Sequence, residues 1–235
     1  MCVWFLQYLY QANTSSTCRV FPIPDRLPST IAGPMLCAGV TVYSPLIRNG
    51  CGQGKKVGIV GIGGLGHLGV QFAKALGADT WAISRSHAKE ADAMQMGADG
   101  FLATSDKDWN VPHSMTFDLI INTASSFKDF DISAYLDLLD VHGKFVGVGL
   151  PEGDEGVQVR NQTFLGNGCF FGASQLGSRK ETIDMLELAA ERGVKTWVEE
   201  MPLTEKNLAE AMVNLRRNNV RYRSCMMNYD HQFGS

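Results

Sequence analysis

The chain has 235 residues, of which 45% are hydrophobic and 19% charged, the composition of a globular protein. A formal net charge of −3 provides no basic excess for releasing counterions, so we expect no nucleic-acid partner. Six scattered cysteines contain no Cys-x-x-Cys pair, which argues against a disulfide scaffold and favours a reducing, cytoplasmic location. No apolar run reaches the length needed to span a membrane, so we expect no membrane partner.

The first quarter of the chain carries few regular signals. Residues 1–20 are apolar and then polar without a clear period, and we leave them unassigned. Phe21–Thr30 contains three prolines, which predict an extended segment. The mostly apolar stretch Ile31–Ile47 has helical character after Pro34.

From Val57 onward, short apolar strands alternate with helices. The predicted strands are 57–61, 80–84, 99–102, 118–122, 143–148 and 168–172. The predicted helices are about 65–76, 88–96, 131–140 and 179–192. Strands that are apolar on both sides suit a parallel sheet covered on both faces. The pattern therefore predicts an α/β fold with a doubly wound parallel sheet, the Rossmann arrangement.

Beyond Gly177 the pattern changes. Trp197–Leu203 is predicted to be extended, and a helix is predicted from Thr204, its N-cap, to Arg217. Tyr222–Tyr229 is predicted as a closing strand. This is too little chain for a second core, so the segment should pack on something else.

The first predicted strand runs directly into a glycine-rich turn, GIGGLGHLG at 61–69. Its glycines at 61, 63 and 66 have the spacing of a dinucleotide-binding turn, in which the first closes the turn, the second admits a pyrophosphate and the third allows close helix packing. The following helix offers its N-terminus to the phosphates. A structural turn in another α/β protein is the alternative. His67 has two readings, a catalytic base or a helix-start residue facing the phosphates, and we favour the second.

The end of the second predicted strand indicates which dinucleotide binds. Proteins that take NAD place an acidic residue there, whereas this chain has Ser84, Arg85, Ser86 and Lys89. Hydroxyls and cations suit a 2′-phosphate, so we expect NADP. The alternative is that Arg85 and Lys89 are merely solvated. FAD and S-adenosylmethionine also bind this fold, but neither explains a basic cluster here.

Four motifs in order resemble the zinc-dependent medium-chain alcohol dehydrogenases, and in particular their NADP-dependent branch similar to cinnamyl alcohol dehydrogenase. They are PMLCAGVTVYSPL at 34–46, GIGGLGHLG at 61–69, SRSHAKEADAMQMGAD at 84–99 and NNVRYR at 218–223. The resemblance covers about residues 21–229. It implies hydride transfer between NADP(H) and a primary alcohol or aldehyde, with zinc polarising the oxygen.

The resemblance also implies roles for individual residues. Cys37 matches a ligand of the catalytic zinc, although a lone cysteine in an apolar segment is more often a buried small hydrophobe, the role that we favour. The other zinc ligands of the family, its His-Glu pair, its proton relay and its four-cysteine loop lie upstream of the matching region and are absent from this chain. The implied and predicted cofactor-binding residues are Thr41, Gly61, Gly63, Gly64, Leu65, Gly66, Ser84, Arg85, Ser86, Lys89, Gly147, Val148, Gly149 and Arg223.

These features predict a domain division and two functions. We expect residues 21–37 to be a remnant of a GroES-like catalytic domain, 38–175 to be the NADP-binding domain, and 176–235 to return to the catalytic domain. Without that domain, Trp197, Met201 and Leu203 should expose apolar surface. One function is a truncated NADP-dependent alcohol dehydrogenase or aldehyde reductase. The alternative is a catalytically inactive NADP-binding module or fragment. The resemblance further implies a homodimer that pairs through the strand near 168–172.

Overall fold

A computed structural model of the chain describes residues 21–127, 130–150, 156–217 and 219–228. Residues 1–20, which the sequence leaves unassigned, lie outside these ranges. So does Tyr229, the last residue of the predicted closing strand. Within these ranges the eight strands are β1 Lys56–Val60, β2 Asp79–Ser84, β3 Gly100–Ala103, β4 Phe117–Asn122, β5 Leu139–Gly147, β6 Phe170–Ala173, β7 Val198–Pro202 and β8 Arg223–Met227. The α-helices of the described residues are α1 Ser29–Pro34, α2 Val40–Arg48, α3 Gly66–Ala75, α4 Glu90–Gln95, α5 Ile132–Asp137, α6 Asn161–Leu165, α7 Arg179–Arg192 and α8 Glu205–Arg216.

Strands β1 to β6 form one parallel sheet in the order β3-β2-β1-β4-β5-β6. Strand order reverses between β1 and β4, the place where open α/β sheets bind ligands beyond the carboxyl ends of their strands. Strands β7 and β8 form a separate parallel pair, and α8 connects them.

Both faces of the six-stranded sheet are covered by apolar side chains. Along β4, Leu119 and Ile121 enter the core that contains α2, α3 and α7, whereas Ile120 enters the core that contains α5. This alternation follows from the two-residue period of a strand, and burial on both faces explains why the strand sequences are continuously apolar. The predicted doubly wound parallel sheet is confirmed.

Helix α7 is fixed to the core by a network around one carboxylate. Glu181 closes a capping box with Ser178 and accepts two hydrogen bonds from Arg48, at 2.7 and 2.8 Å. Burial raises the pKa of Glu181, but the Arg48 guanidinium and the Ser178 donors outweigh this and lower it to about 2. Glycine at 193, with a φ of 72°, ends the helix as predicted.

Several predicted boundaries are wrong. Helix α1 begins at Ser29, inside the segment predicted to be extended, because Pro28 only precedes the helix and Pro34 is followed by a π-helical turn over Met35–Gly39. The predicted helix over 131–140 ends at Asp137, and β5 begins at Leu139. Helix α6 was not predicted. Thr204 is confirmed as the N-cap of α8, since its hydroxyl accepts a hydrogen bond from the Asn207 amide.

The apolar helical stretch Ser29–Arg48 is 20 residues long, which is enough by length and composition to cross a membrane. The prediction that no apolar run reaches this length is therefore wrong. More than half of this stretch is buried inside the protein, where Met35, Val42 and Leu46 are fully enclosed. Packing in the core accounts for its apolar character.

Apolar exposure beyond Gly177 differs from the prediction. Trp197, Met201 and Leu203 are partly buried. The exposed apolar side chains lie instead on α8, and they are Leu208, Met212, Val213 and Leu215. One face of α8 is thus apolar and open.

Candidate cofactor-binding site

The turn that follows β1 is built by three glycines with different tasks. Gly61 has a φ of +84°, a left-handed conformation that favours glycine. A Cβ atom on Gly66 would lie 2.0 Å from the carbonyl oxygen of Gly61, so only glycine lets α3 start this close to the strand. A Cβ atom on Gly63 would meet nothing within 4 Å. Two glycines therefore close the turn, and the middle one faces open space in front of the α3 N-terminus.

The neighbouring strand β4 holds the turn in place. The hydroxyl of Thr123 lies 2.9 Å from the carbonyl oxygen of Val60 and 2.6 Å from that of Gly61. The Thr123 amide donates a further hydrogen bond to Val60. Thr123 was not predicted as a site residue. Its position as a polar residue directly after a buried strand could have indicated it.

Asn122 is a second residue that the sequence reasoning missed. Its side chain is fully buried, and Oδ1 accepts a hydrogen bond from the Ala124 amide at 3.1 Å. Among the described residues, its Nδ2 is the one buried side-chain nitrogen or oxygen without a hydrogen-bond partner. Since leaving such a group unpaired costs about 1–3 kcal/mol, a ligand atom at the switch point of the sheet would satisfy it.

The end of β5 lies beside Asn122. The amides of Val148 and Gly149 both approach the Asn122 carbonyl oxygen, at 2.9 and 3.2 Å. A Cβ atom on Gly149 would lie 2.0 Å from the Ala124 carbonyl oxygen, so this position also requires glycine. Gly147, the last residue of β5, completes the predicted trio at the same edge of the sheet.

The basic loop follows β2 at the same edge. Ser84 ends the strand, and Arg85 and Ser86 are exposed. Lys89 is partly buried, and its Nζ donates a 2.6 Å hydrogen bond to the carbonyl oxygen of Ile62 in the glycine turn. Burial lowers the pKa of Lys89, and the charges of Arg221 and Arg85 lower it further, against an opposing effect of Asp92.

Arg223 comes from the far end of the chain to the same turn. Its Nε donates to the Gly64 carbonyl oxygen at 2.9 Å. A Cβ atom on Gly64 would lie 3.0 Å from this guanidinium group, so glycine at 64 makes room for it. Leu65 separates this contact from the first residue of α3.

His67 is the second residue of α3, so the helix-start part of the favoured prediction is confirmed. The part that turns its ring toward the phosphates is wrong, because both ring nitrogens of His67 bond within the protein. His67 is fully buried, its Nδ1 donates to the Gly63 carbonyl oxygen at 3.0 Å, and its Nε2 accepts from the Trp197 amide at 3.3 Å. Both bonds fit the neutral ring protonated on Nδ1. Burial lowers the pKa of His67 to about 4. The ring therefore links the turn to the segment that precedes β7.

The two remaining predicted residues lie on the first helices. The Thr41 hydroxyl donates to the Cys37 carbonyl oxygen at 2.7 Å, and Thr41 sits on α2, which packs against α3. Cys37 lies in the π-helical turn and is exposed, so the prediction of a buried cysteine is wrong. No group of three histidine, cysteine or acidic residues that could hold a metal occurs within the described ranges. The donor set around Cys37 does not fit a catalytic zinc, which needs three protein ligands.

A family model described as zinc-binding dehydrogenase matches residues 64–191, more than half of the chain. The chain belongs to this family. The match starts inside the glycine turn and ends in α7, so it contains β2 to β6 and the basic loop. The resemblance predicted from the four motifs is confirmed.

Relatives of this zinc-binding dehydrogenase include alcohol dehydrogenases. The NADP-dependent alcohol dehydrogenase 6 of Saccharomyces cerevisiae is 44% identical over 215 residues, which cover 91% of this chain and 59% of the relative. A cinnamyl alcohol dehydrogenase structure from Sorghum bicolor has a TM-score of 0.80 at 36% identity and covers 87% of this chain and 57% of that one. A cinnamyl alcohol dehydrogenase from Helicobacter pylori, solved with NADP(H), has a TM-score of 0.74 at 29% identity over 87% of this chain and 56% of that one. The chain thus spans less than two thirds of the length of each.

Proposed function

We propose that this chain binds NADP(H) for hydride transfer between the cofactor and a primary alcohol or aldehyde. The observation that carries the proposal is the carboxyl edge of the sheet, where Gly63 faces open space and Asn122 has an unpaired buried amide. The names of the relatives, which are NADP-dependent alcohol dehydrogenases and cinnamyl alcohol dehydrogenases, support the reaction class.

Each part of the cofactor has proposed partners. The amides at the start of α3, with Arg223, would hold the pyrophosphate, because a helix N-terminus and a guanidinium both favour anions. Ser84, Arg85, Ser86 and Lys89 would hold the 2′-phosphate, since no carboxylate stands at the end of β2 to hold ribose hydroxyls. When bound, the nicotinamide ring would supply or accept the hydride.

Other residues would orient the nicotinamide end. The backbone at Gly147, Val148 and Gly149 and the unpaired Nδ2 of Asn122 lie at the switch point, where polar groups can hold that half of the cofactor. We place Thr41 near the cofactor as well. Val148 and Ile62 beside the turn are buried, so the sheet side of the proposed site is apolar.

The polarisation of the substrate oxygen is not supplied by the described residues, since Cys37 has no further zinc ligands around it. We propose that residues 21–37 and 176–235 belong with a second, catalytic lobe. The open apolar face of α8 supports this, as does coverage of 59% of the yeast relative. Helix α7 packs on α2, so the part of 176–235 available to such a lobe begins after it.

Titration of the full chain with NADPH and NADH, followed by intrinsic fluorescence, tests cofactor binding. We expect NADPH to bind more tightly than NADH by tenfold or more, and equal or absent binding would contradict the proposal. Turnover is then measured with cinnamaldehyde or benzaldehyde and added zinc. Oxidation of NADPH supports the dehydrogenase activity for this chain.

A second candidate is an NADP-binding module without catalytic activity, favoured by the incomplete donor set around Cys37. It predicts NADPH binding without aldehyde turnover and without stoichiometric zinc. Metal analysis of the purified chain separates the two, because one tightly bound zinc per chain would contradict the inactive module.

We also propose a cytoplasmic homodimer paired through β6. This strand is the edge of the six-stranded sheet, and Phe170 and Phe171 are 59% and 43% exposed. An open, apolar edge strand can pair with a second copy. Sedimentation that finds a monomer at high concentration would contradict the dimer.

A further inference from the structure

The segment that leads into β8 closes over the glycine turn with side chains far away in sequence. The Tyr222 ring stacks on His67, with ring centres 5.2 Å apart and an angle of 13° between planes. Its other ring neighbour is Trp197, in an edge contact at 5.8 Å. Tyr222 is 3% exposed, so its ring is a fixed part of the wall behind the turn.

The carboxylate of Asp92 holds the segment that leads into β8. Asp92 lies on α4, the helix that follows the basic loop, and its side chain is 12% exposed. Its Oδ2 accepts a hydrogen bond from the Tyr222 hydroxyl and bonds from Nε and Nη2 of Arg221, at 2.8 and 2.5 Å. Burial raises the pKa of Asp92, but the bonds from Tyr222 and Arg221 outweigh it and lower the pKa. We call Asp92, Arg221 and Tyr222 the clamp.

Lys89 lies beside the clamp. Its ammonium lies 5.4 Å from the centre of the Tyr222 ring, and it bonds to the Ile62 carbonyl oxygen rather than to a carboxylate. The charges of Arg85 and Arg221 both act on it, and Asp92 opposes them. Asp92 Oδ2 already accepts three hydrogen bonds, from Arg221 and Tyr222. A dianionic ligand would therefore relieve the repulsion of Lys89 by Arg85 and Arg221.

We propose that Asp92 and Tyr222 are positioning residues that hold Lys89 in place for the 2′-phosphate of NADP(H). This inference rests on the proposed function. The Asp92 carboxylate fixes Tyr222 by accepting a hydrogen bond from the Tyr222 hydroxyl. The Tyr222 ring in turn limits where the Lys89 ammonium can lie. Neither residue contacts the phosphate in this assignment. The preference for NADP(H) over NAD(H) would thus depend on the segment that leads into β8. That segment lies more than a hundred residues from the basic loop in sequence.

The test compares Tyr222→Phe, which removes only the hydroxyl, and Asp92→Asn with the wild-type full chain. The control is Asp184→Asn, which removes a carboxylate paired with Lys180 on α7. Dissociation constants for NADPH and NADH are measured for each protein. We expect the NADPH constant to rise about tenfold in both clamp variants, because a charged hydrogen bond is misplaced, and the NADH constant to change by less than about threefold. The control should change neither.

A structural role alone would weaken both cofactors equally, and that result overturns the proposal, as do unchanged constants. If the wild-type chain binds neither cofactor, the proposed function fails, and amide hydrogen exchange without ligand then decides the clamp. Faster exchange over 62–66 and 87–92 in Tyr222→Phe supports the anchoring of Lys89. Unchanged exchange there overturns it.

Discussion

The two ends of the six-stranded sheet differ in how far their charged and polar side chains are paired within the protein. At the amino end, Lys55 pairs with Asp118 at 2.7 Å, and Lys74 pairs with Asp99 at 2.5 Å. Each of these carboxylates also accepts a backbone amide, from Lys56 and Thr80 respectively. The protein satisfies its own polar groups at this end.

The carboxyl end is left incomplete. Arg85 has no ion pair within the described residues, Lys89 and Arg223 donate to carbonyl oxygens, and the buried Nδ2 of Asn122 has no partner there. Parallel sheets bind ligands beyond the carboxyl ends of their strands. Substitutions at the amino end should therefore change stability, whereas substitutions at the carboxyl end should change ligand binding.

In the glycine turn, one substitution should change stability and another should change ligand binding. Gly66→Ala should have the largest effect of all the variants, and that effect is on stability. The new methyl group would lie 2.0 Å from the Gly61 carbonyl oxygen, which is backbone and cannot move aside. We expect a loss of about 3 kcal/mol in the free energy of unfolding, measured by urea denaturation. A loss below about 1 kcal/mol would show that the turn relaxes.

Gly63→Ala is the matched variant, because its methyl group meets nothing within 4 Å. We expect an unchanged unfolding midpoint and an NADPH dissociation constant raised about tenfold or more, since the methyl group occupies the space proposed for the pyrophosphate. Retained affinity for NADPH would place the cofactor elsewhere.

Acid should weaken the junction between the turn and the β7–β8 pair. The pKa of His67 is about 4 in the folded chain, against about 6.5 when unfolded, so the unfolded state binds the proton first. The stabilisation by neutral His67 is complete above about pH 6.5 and is lost as pH falls toward 4, by about 3 kcal/mol in total. Urea midpoints between pH 7 and 4 measure this loss.

His67→Gln separates this effect from other titrating groups, because the amide can donate and accept but does not titrate. Burial also lowers the pKa of His113, which acts in the same direction in both proteins. The variant should therefore lose less stability over this pH range than the wild type. Identical slopes would assign the loss to His113 or another group.

Local sequence was sufficient for the glycine turn, the strands and the basic loop, because glycine spacing and strand polarity are properties of adjacent residues. It was insufficient for His67, whose partner Trp197 lies 130 residues away and is set by tertiary packing. The same holds for the contact between Asp92 and Tyr222. The exposure of Cys37 was missed because its apolar neighbours indicated burial, and the π-helical turn that contains it was not predicted. Such contacts depend on how the chain returns, which no local pattern encodes.

At the carboxyl end, Arg85→Ala should reduce binding without reducing stability. Arg85 is exposed and has no ion pair in the described part of the chain, so we expect its removal to cost little stability. We expect the NADPH dissociation constant to rise about 10- to 100-fold, the value of a charge-assisted hydrogen bond, with the NADH constant almost unchanged. Lys206→Ala, which removes an exposed cation from α8, is the control and should change neither.

At the amino end, Asp99→Asn should reduce stability without reducing NADPH binding. Its effect should be the smallest of the series. The Asp99 carboxylate accepts the Thr80 amide at 2.8 Å and the Lys74 ammonium, and Asn keeps the shape while losing the charge. Because the side chain is 36% exposed, we expect a loss of only about 1 kcal/mol in unfolding free energy by urea denaturation. NADPH affinity should stay within about twofold of the wild type, since Asp99 precedes β3 and the cofactor site lies beyond the opposite strand ends. A large loss of affinity without a loss of stability would mean that the amino end also takes part in binding, and the division between the two ends would not hold.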